Sequence, residues 1–221
     1  MEYKTDGTYK GTRIILGETA KIKRFVLNTL LIIAERNGFE EVFMPSVELT
    51  KTYTDKAGEE IKGQMFVWQD RSGRDICLRP EGTATTQLLA NSLFKYKKDV
   101  KLFYTLQCWR YEQPQSGRYR EFTQFGFEWL NPSDFEKAEN ECKNIALEMV
   151  KELGGTYTYS NSVKRGLAYY VSEGFEIQCP ELDAQKQVCG GGTYKEGVGC
   201  AFGVDRLILV NNLNIKNGQQ T

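Results

Sequence analysis

The sequence contains no histidine among its 221 residues. This absence excludes a Ser-His-Asp or Cys-His nucleophile system, a histidine general base and any metal site that depends on an imidazole ligand. Any chemistry must therefore use carboxylates, arginine, lysine, tyrosine, cysteine, backbone groups or a bound cofactor.

Charge imbalance and long apolar runs are also missing. The 29 Lys and Arg residues balance 29 Asp and Glu residues, which argues against bulk electrostatic binding of nucleic acid, although a local basic groove stays open. No run of eighteen apolar residues occurs, so no membrane span is predicted. The first residues (MEYKTDGTYKGTR) lack the apolar core of a signal peptide, and a cytoplasmic location is expected.

Cysteine spacing gives little indication of metal or disulfide chemistry. None of the six cysteines forms a CxxC pair, so we expect reduced and mostly buried thiols. No Pro/Gly/Ser-rich linker divides the chain, which predicts a single domain over residues 1–221. The Asn/Gln-rich segment 211–221 is expected to be a frayed tail.

Apolar periodicity predicts helices and strands in mixed order. Helices are predicted over Glu18–Asn37, over Gly82–Tyr96, from a Ser133–Glu136 capping box to Leu153, and after Gly203. Strands are predicted over Phe39–Met44, Gln64–Gln69, Ile76–Arg79, Lys101–Glu112, Arg120–Leu130, Thr156–Ser160, Gly174–Cys179 and Gln187–Gly190. Long antiparallel pairs without strict β-α-β alternation favour an α+β fold.

The two longest predicted strands, Lys101–Glu112 and Arg120–Leu130, carry the most informative pattern. Strand side chains alternate between faces, so the odd-numbered aromatic residues of the second strand predict a core face. The even-numbered face gathers Arg110, Glu112, Phe122, Gln124 and Glu128, with a gap at Gly126. Such a face suits a ligand with a planar ring and a phosphate. A solvated sheet face with scattered ion pairs explains the pattern equally well.

Five segments resemble motifs of the class II aminoacyl-tRNA synthetases in their histidyl form, in the order that the family has. Segment 110–128 (RYEQPQSGRYREFTQFGFE) resembles motif 2, 78–84 (LRPEGTA) the amino-acid-binding turn, and 199–207 (GCAFGVDRL) motif 3. Segments 165–170 (RGLAYY) and 188–194 (VCGGGTY) resemble the two histidine-binding signatures of the histidyl-tRNA synthetase family. Pro45, which follows a helix and a strand, is similar to motif 1, the dimer-forming element.

The resemblance implies a class II catalytic domain, an antiparallel sheet flanked by helices, in a homodimer. It implies that histidine and ATP, with Mg²⁺, form histidyl-adenylate, and it leaves tRNA open as the acceptor. The substrate carboxylate attacks the α-phosphate, so the protein must supply fixed positive charge and little else. That requirement is compatible with a chain that has no histidine.

The implied roles fall on residues that match the motifs. Arg110 and Arg165 would be catalytic, Arg110 at the α-phosphate. For ATP, Arg118 would reach the γ-phosphate, Phe122 and Arg206 would enclose adenine, and Glu112 would contact adenine or help to place a metal ion. For the amino acid, Glu81, Thr83 and Gln124 would hold the ammonium, Glu128 and Tyr170 the imidazole nitrogens, and Arg165, Tyr169 and Tyr194 would complete the pocket. Gly190–Gly192 would let the backbone approach the amino acid, and Gly199 and Gly203 would allow close packing at adenine.

The chain departs from the family pattern at one residue and in two regions. Ala168 stands where the signature has Asp, and the segment between Leu153 and Arg165 is too short for the family's helical insertion. Nothing after motif 3 is long enough for an anticodon-binding domain. Two alternatives to a histidine–tRNA ligase function therefore stay open. One is a catalytically silent histidine-binding regulatory paralogue, and the other is an adenylating enzyme with a non-tRNA acceptor.

Overall fold

The computed structural model describes residues 7–57, 59–163, 169–183 and 185–216. Helices lie at α1 (Gly17–Arg36), α2 (Thr50–Ala57), α3 (Thr83–Asn91), α4 (Phe135–Leu153) and α5 (Val204–Lys216), and a 3₁₀ turn at Glu59–Gln64. Strands lie at β1 (Glu40–Glu41), β2 (Val47–Leu49), β3 (Val67–Gln69), β4 (Asp75–Leu78), β5 (Val100–Trp109), β6 (Glu121–Leu130), β7 (Thr158–Val163), β8 (Gly174–Gln178), β9 (Gln187–Tyr194) and β10 (Gly197–Gly203).

In the described residues, the main sheet has the strand order β1-β5-β6-β10-β9-β8-β7. Every neighbouring pair is antiparallel except β1 and β5, which pair in parallel over two residues. A smaller antiparallel sheet has the order β2-β4-β3. The predicted α+β class, with an antiparallel sheet flanked by helices, is confirmed.

Strands β5 and β6 separate the two faces of the sheet as their alternation predicts. Phe103, Phe125 and Phe127 are fully buried in the main core, together with apolar residues of α1, α4 and α5. The even-numbered face carries Tyr104 and Glu128, also fully buried, and is covered in part by α2 and α3. One face of the hairpin therefore builds the core, and the other is free to line a site.

Helix α1 buries Ile22, Val26, Leu30 and Ile33 at the predicted helical spacing. Helix α4 begins differently from the prediction, because Asp134 rather than Ser133 is its N-cap and accepts from the backbone N–H of Lys137. Ser133 instead donates its hydroxyl proton to Asp99 over 2.6 Å. The predicted fraying from residue 211 also does not begin there, since α5 continues to Lys216 and Asn211 is fully buried.

Short and glycine-rich elements were the ones that sequence patterns missed. The predicted strand Phe39–Met44 is regular only at Glu40–Glu41, and the following β2 and α2 were not predicted. Strand β10 contains three glycines and was also missed, although it lies at the centre of the sheet. Its position follows from pairing with β6 and β9, which a local pattern does not encode.

All six cysteines are buried and free, as predicted. Among the described residues, no helix is long and apolar enough to span a bilayer.

Gly126 is the gap in the even-numbered face, and the ring of Tyr104 fills it. A Cβ atom at Gly126 would lie 2.4 Å from that ring, on a residue paired directly opposite. Gly126→Ala is therefore expected to lower the free energy of unfolding by about 1–3 kcal/mol through overpacking, measured by urea unfolding. Gly63→Ala is the matched control, because a Cβ there meets nothing within 4 Å. Equal stabilities of the two variants would contradict this packing role.

Candidate active site

A cleft of about 370 Å³ lies on the even-numbered face, between the β5–β6 hairpin, strands β9 and β10 and the start of α5. Many of the residues predicted from the sequence line it together. They are Glu81, Thr83, Arg110, Glu112, Arg118, Phe122, Gln124, Tyr169, Tyr170 and Arg206. The alternative of a solvated face with scattered ion pairs does not describe this concave arrangement.

Arg110 stands at the end of β5 and is held by the turn before α3. Its Nε donates to the carbonyl of Pro80 over 3.0 Å, and its guanidinium carbon lies 5.3 Å from the centroid of the Phe122 ring. Among the described residues, no carboxylate forms an ion pair with Arg110. The side chain is thus oriented by a neutral backbone acceptor and keeps its charge available in the cleft.

Arg118, on the hairpin loop, forms an ion pair with Glu112 across that loop. The Glu112 side chain is nearly buried, whereas 40% of the Arg118 side chain is exposed. The pair closes the loop on itself and places Arg118 at the mouth of the cleft. Sequence reasoning gave these residues separate ligand roles and did not anticipate their contact.

Arg206, in the first turn of α5, donates to three separate oxygen atoms. The acceptors are the carbonyl of Gly117 at 2.9 Å, the carbonyl of Gln187 at 2.6 Å and Oε1 of Gln185 at 3.0 Å. Burial lowers the pKa of Arg206 from its ordinary value, and the positive charges of Arg110 and Arg118 lower it further. Three guanidinium groups therefore share one region of the cleft and create a positive potential there.

Glu128 lies beneath the opposite end of the cleft and is fully buried. Its carboxylate accepts hydrogen bonds from the hydroxyls of Thr83 at 2.8 Å, Tyr194 at 2.8 Å and Tyr104 at 3.2 Å. Burial raises the pKa of Glu128 to about 8, even though these hydroxyl groups act in the opposite direction. A buried carboxylate held only by neutral donors is suited to a ligand that brings an N–H group or a positive charge.

Gly199 is the residue that makes room for Glu128. A Cβ atom at Gly199, opposite Glu128 in the β6–β10 ladder, would lie 1.7 Å from the Glu128 carboxylate. The sequence predicted that Gly199 allows close packing at adenine, and that role stays a prediction; the structure places Gly199 directly against the buried carboxylate of Glu128.

Glu81 and Gln124 organise the wall between the two ends. Glu81 is almost fully buried and accepts the backbone N–H groups of Thr83 at 2.6 Å and Ala84 at 2.8 Å, at the N-terminus of α3. Burial raises its pKa from the ordinary value. Gln124 accepts the backbone N–H of Gly82 over 2.9 Å, which ties β6 to the same turn. Side-chain oxygens thus accept three consecutive backbone N–H groups of this turn, those of Gly82, Thr83 and Ala84.

The tyrosines divide into cleft and core positions. Tyr169 and Tyr170 line the cleft with ring centroids 4.7 Å apart. Tyr194 is buried in the core beneath them. Its hydroxyl donates to Glu128, and its ring centroid lies 6.2 Å from that of Tyr169. Arg165, predicted to be catalytic, and Ala168 lie outside the described residues.

Two residues that support the cleft were not singled out from the sequence. Arg79 is 2% exposed, and its guanidinium donates to the carbonyls of Gln107 and Met44, joining the small sheet to β5. Tyr104 shares the even parity of Arg110 on β5, which is the signal that could have identified it. A buried arginine bound to backbone carbonyls has no comparable sequence signal.

Comparison with known proteins places the chain in context. The family model described as histidyl-tRNA synthetase matches residues 11–163. The histidine–tRNA ligase of Methanocaldococcus jannaschii is 38% identical over 146 residues, covering 66% of this chain and 35% of the relative. That of Methanosarcina acetivorans is 27% identical over 307 residues, covering 91% of this chain and 74% of the relative. That match is longer than this chain, so the relative holds additional residues within it.

Solved structures share the fold. Apo S. aureus histidyl-tRNA synthetase has a TM-score of 0.78 at 23% identity, over 98% of this chain and 72% of that one. The histidine–tRNA ligase subunit of Alicyclobacillus acidocaldarius has a TM-score of 0.81 at 14% identity, over 99% of both chains. The chain spans about a third of the length of the first curated relatives that it matches.

Proposed function

Because the chain belongs to the histidyl-tRNA synthetase family, we propose that it activates histidine with ATP. In this reaction the histidine carboxylate displaces pyrophosphate from the α-phosphate of ATP, and histidyl-adenylate forms. The observation that carries the proposal is the polarity of the cleft. Arginines cluster at one end, and a buried carboxylate held by three hydroxyls lies beneath the other, where it accepts from the cleft residue Thr83. A molecule with a phosphate chain and one with an imidazole and an ammonium would fit side by side.

At the arginine end, the proposed ligand is ATP. Arg110 would hold the α-phosphate and stabilise the charge that develops there when the histidine carboxylate attacks. Arg118 would reach the γ-phosphate, and Phe122 and Arg206 would enclose adenine. The protein moves no proton in this step, since the nucleophile is already ionised and pyrophosphate leaves as an anion.

At the other end, the proposed ligand is histidine. Glu128 would accept an N–H of the imidazole, and Tyr170 would bond the second ring nitrogen. Glu81, Thr83 and Gln124 would hold the ammonium, and Glu81 retains acceptor capacity beyond its two backbone bonds. Buried polar groups that would be left unpaired by another side chain are a strong source of selectivity.

Mg²⁺ is the proposed companion of ATP. Among the described residues, no group of three or more acidic or cysteine side chains converges as a metal site. In nucleotide sites Mg²⁺ is held largely by phosphate oxygens with one or two carboxylates, and Glu112 is the candidate carboxylate here. When bound, the ion would neutralise phosphate charge.

A homodimer is also proposed, because several apolar side chains of α1 and of the segment around Pro45, which resembles motif 1, are exposed. Phe43 is 83% exposed, and Val47, Leu49, Phe25 and Ile32 are exposed as well. A second copy that covers them would remove this area from water. A monomeric mass in sedimentation equilibrium at micromolar concentration would contradict it.

The activity test is pyrophosphate exchange into ATP with each common amino acid in turn. Histidine alone is expected to stimulate exchange, because only an imidazole supplies both the N–H donor and the ring acceptor. Tyr157→Phe is a suitable control variant, since the Tyr157 hydroxyl is buried without a partner in the described residues. It is expected to match the wild type.

Absence of exchange with histidine would contradict the proposal. If calorimetry then detected histidine binding without ATP binding, the regulatory alternative would be supported instead. Transfer to tRNA is a separate proposal, tested by charging of purified histidine tRNA. Exchange without charging would favour a non-tRNA acceptor.

A further inference from the structure

An ion pair lies behind the cleft, at the point where three parts of the chain meet. Arg13, from the segment before α1, pairs with Asp205 at the start of α5. The two side chains are 14% and 4% exposed. Asp205 lines both the cleft and a second cavity of about 190 Å³.

Asp205 also binds the backbone of β6. Its second carboxylate oxygen accepts the N–H of Thr123 over 2.6 Å. The last pair in the ladder between β6 and β10 is Gln124 with Gly203, so Thr123 lies one residue beyond the ladder. The carboxylate therefore continues the connection between β6 and the chain after β10 beyond the last ladder pair.

The residues fixed in this way adjoin the proposed ATP contacts. Thr123 follows Phe122, and Asp205 precedes Arg206, so one carboxylate ties the backbones that carry both proposed adenine contacts. A displacement of α5 relative to β6 would change the spacing between those two side chains.

Arg13 extends the connection to the hairpin loop. Its guanidinium carbon lies 3.2 Å from the centroid of the Tyr119 ring, and Tyr119 is next to Arg118. The same segment supplies the carbonyl of Gly11, which accepts the N–H of Arg120 over 2.8 Å. The segment before α1 thus holds the loop, and through Asp205 it holds α5.

We propose that Arg13 and Asp205 are positioning residues that set the spacing of the ATP-binding wall, namely Arg118, Phe122 and Arg206. The proposal rests on the function proposed above. Neither residue is required to touch the nucleotide. Their effect would be transmitted through the adjacent backbone. A small displacement of that backbone would misplace the ATP contacts and so reduce both ATP affinity and reaction rate.

Asp205→Asn tests the pair specifically. The asparagine Oδ1 can still accept the Thr123 N–H, so the variant loses mainly the charge that Arg13 needs. We expect the KM for ATP to rise about tenfold, with kcat reduced less and the KM for histidine changed less than about twofold. Asp205→Glu is expected to restore part of the ATP affinity. Asp75→Asn, at the exposed first residue of β4, is the matched control.

A double-mutant cycle separates this role from general stability. If the two residues act as a pair, adding Arg13→Gln to Asp205→Asn should raise the KM for ATP less than the single effects predict. Thermal unfolding of each variant is measured beside it. An unchanged KM for ATP in Asp205→Asn, or equal rises in the KM values for ATP and histidine, would overturn the positioning role.

Measuring ATP binding directly by calorimetry distinguishes failure of the proposed activity from failure of the positioning role. A wild type that binds ATP without exchange would overturn the proposed activity, whereas the Asp205→Asn dissociation constant would still test the positioning role. Failure of the wild type to bind ATP would overturn both.

Discussion

Arg110→Ala is expected to reduce histidine-dependent pyrophosphate exchange by about a thousandfold, mainly through kcat. The orientation of Arg110 depends on a neutral carbonyl, that of Pro80, rather than on a carboxylate. Its charge is therefore not already compensated by an ion pair within the described residues. A preorganised cation that faces developing phosphate charge contributes more to the transition state than to the bound substrate.

Two further variants test whether the effect of Arg110→Ala is specific to the guanidinium group in the cleft. Arg110→Lys keeps the charge without the planar fork, and we expect it to recover part of the lost rate. Arg74→Ala removes a well exposed arginine that pairs with Asp70 at a surface turn, and should leave exchange unchanged. If Arg110→Ala exchanged at more than about a tenth of the wild-type rate, the α-phosphate role would be refuted.

The β5–β6 hairpin was the most predictable part of the fold, because alternation extends over ten residues in each strand. Its parity placed Phe125 and Phe127 in the core, and on the opposite face it placed Phe122 and Gln124, which line the cleft, and the buried Glu128. A long strand with one aromatic face has only one register that buries that face. The same parity brought Arg110 into the cleft, so much of the candidate site followed from a local pattern.

Contacts between distant segments were not predictable in this way. In the sequence, Gly199 is one of several glycines in a glycine-rich segment. In the structure, the Glu128 carboxylate occupies the space that a side chain at Gly199 would need. Arg13 and Asp205 are separated by 192 positions, and their pairing depends on where α5 begins after β10. The N-cap of α4 was mispredicted for the same reason. The Ser133 hydroxyl donates to Asp99, which is distant in sequence, and so does not cap the helix. Local sequence specifies periodicity, whereas these contacts are settled by the assembled fold.

Glu128→Gln should raise the KM for histidine about a hundredfold while changing the KM for ATP little. The glutamine keeps the size of the side chain and can accept from one hydroxyl, but loses the charge that favours an imidazole N–H donor. Glu121→Gln is the matched control, because Glu121 is on the same strand with the opposite parity. Equal KM values for histidine in the wild type and Glu128→Gln would exclude Glu128 from the imidazole site.

The pH dependence of Glu128 provides a second and independent signature. Burial raises the pKa of its carboxyl from 4.5 to about 8. In the unliganded protein, the folded state therefore binds more protons than the unfolded state between these two values. Stability should fall as pH rises through that window, and Glu128→Gln should weaken the dependence. Ionisation favours the imidazole contact, so the wild-type KM for histidine should decrease as pH rises toward 8, and this component should be absent from Glu128→Gln. The loss of both dependences in one variant would show that the buried carboxylate and the histidine contact are the same group.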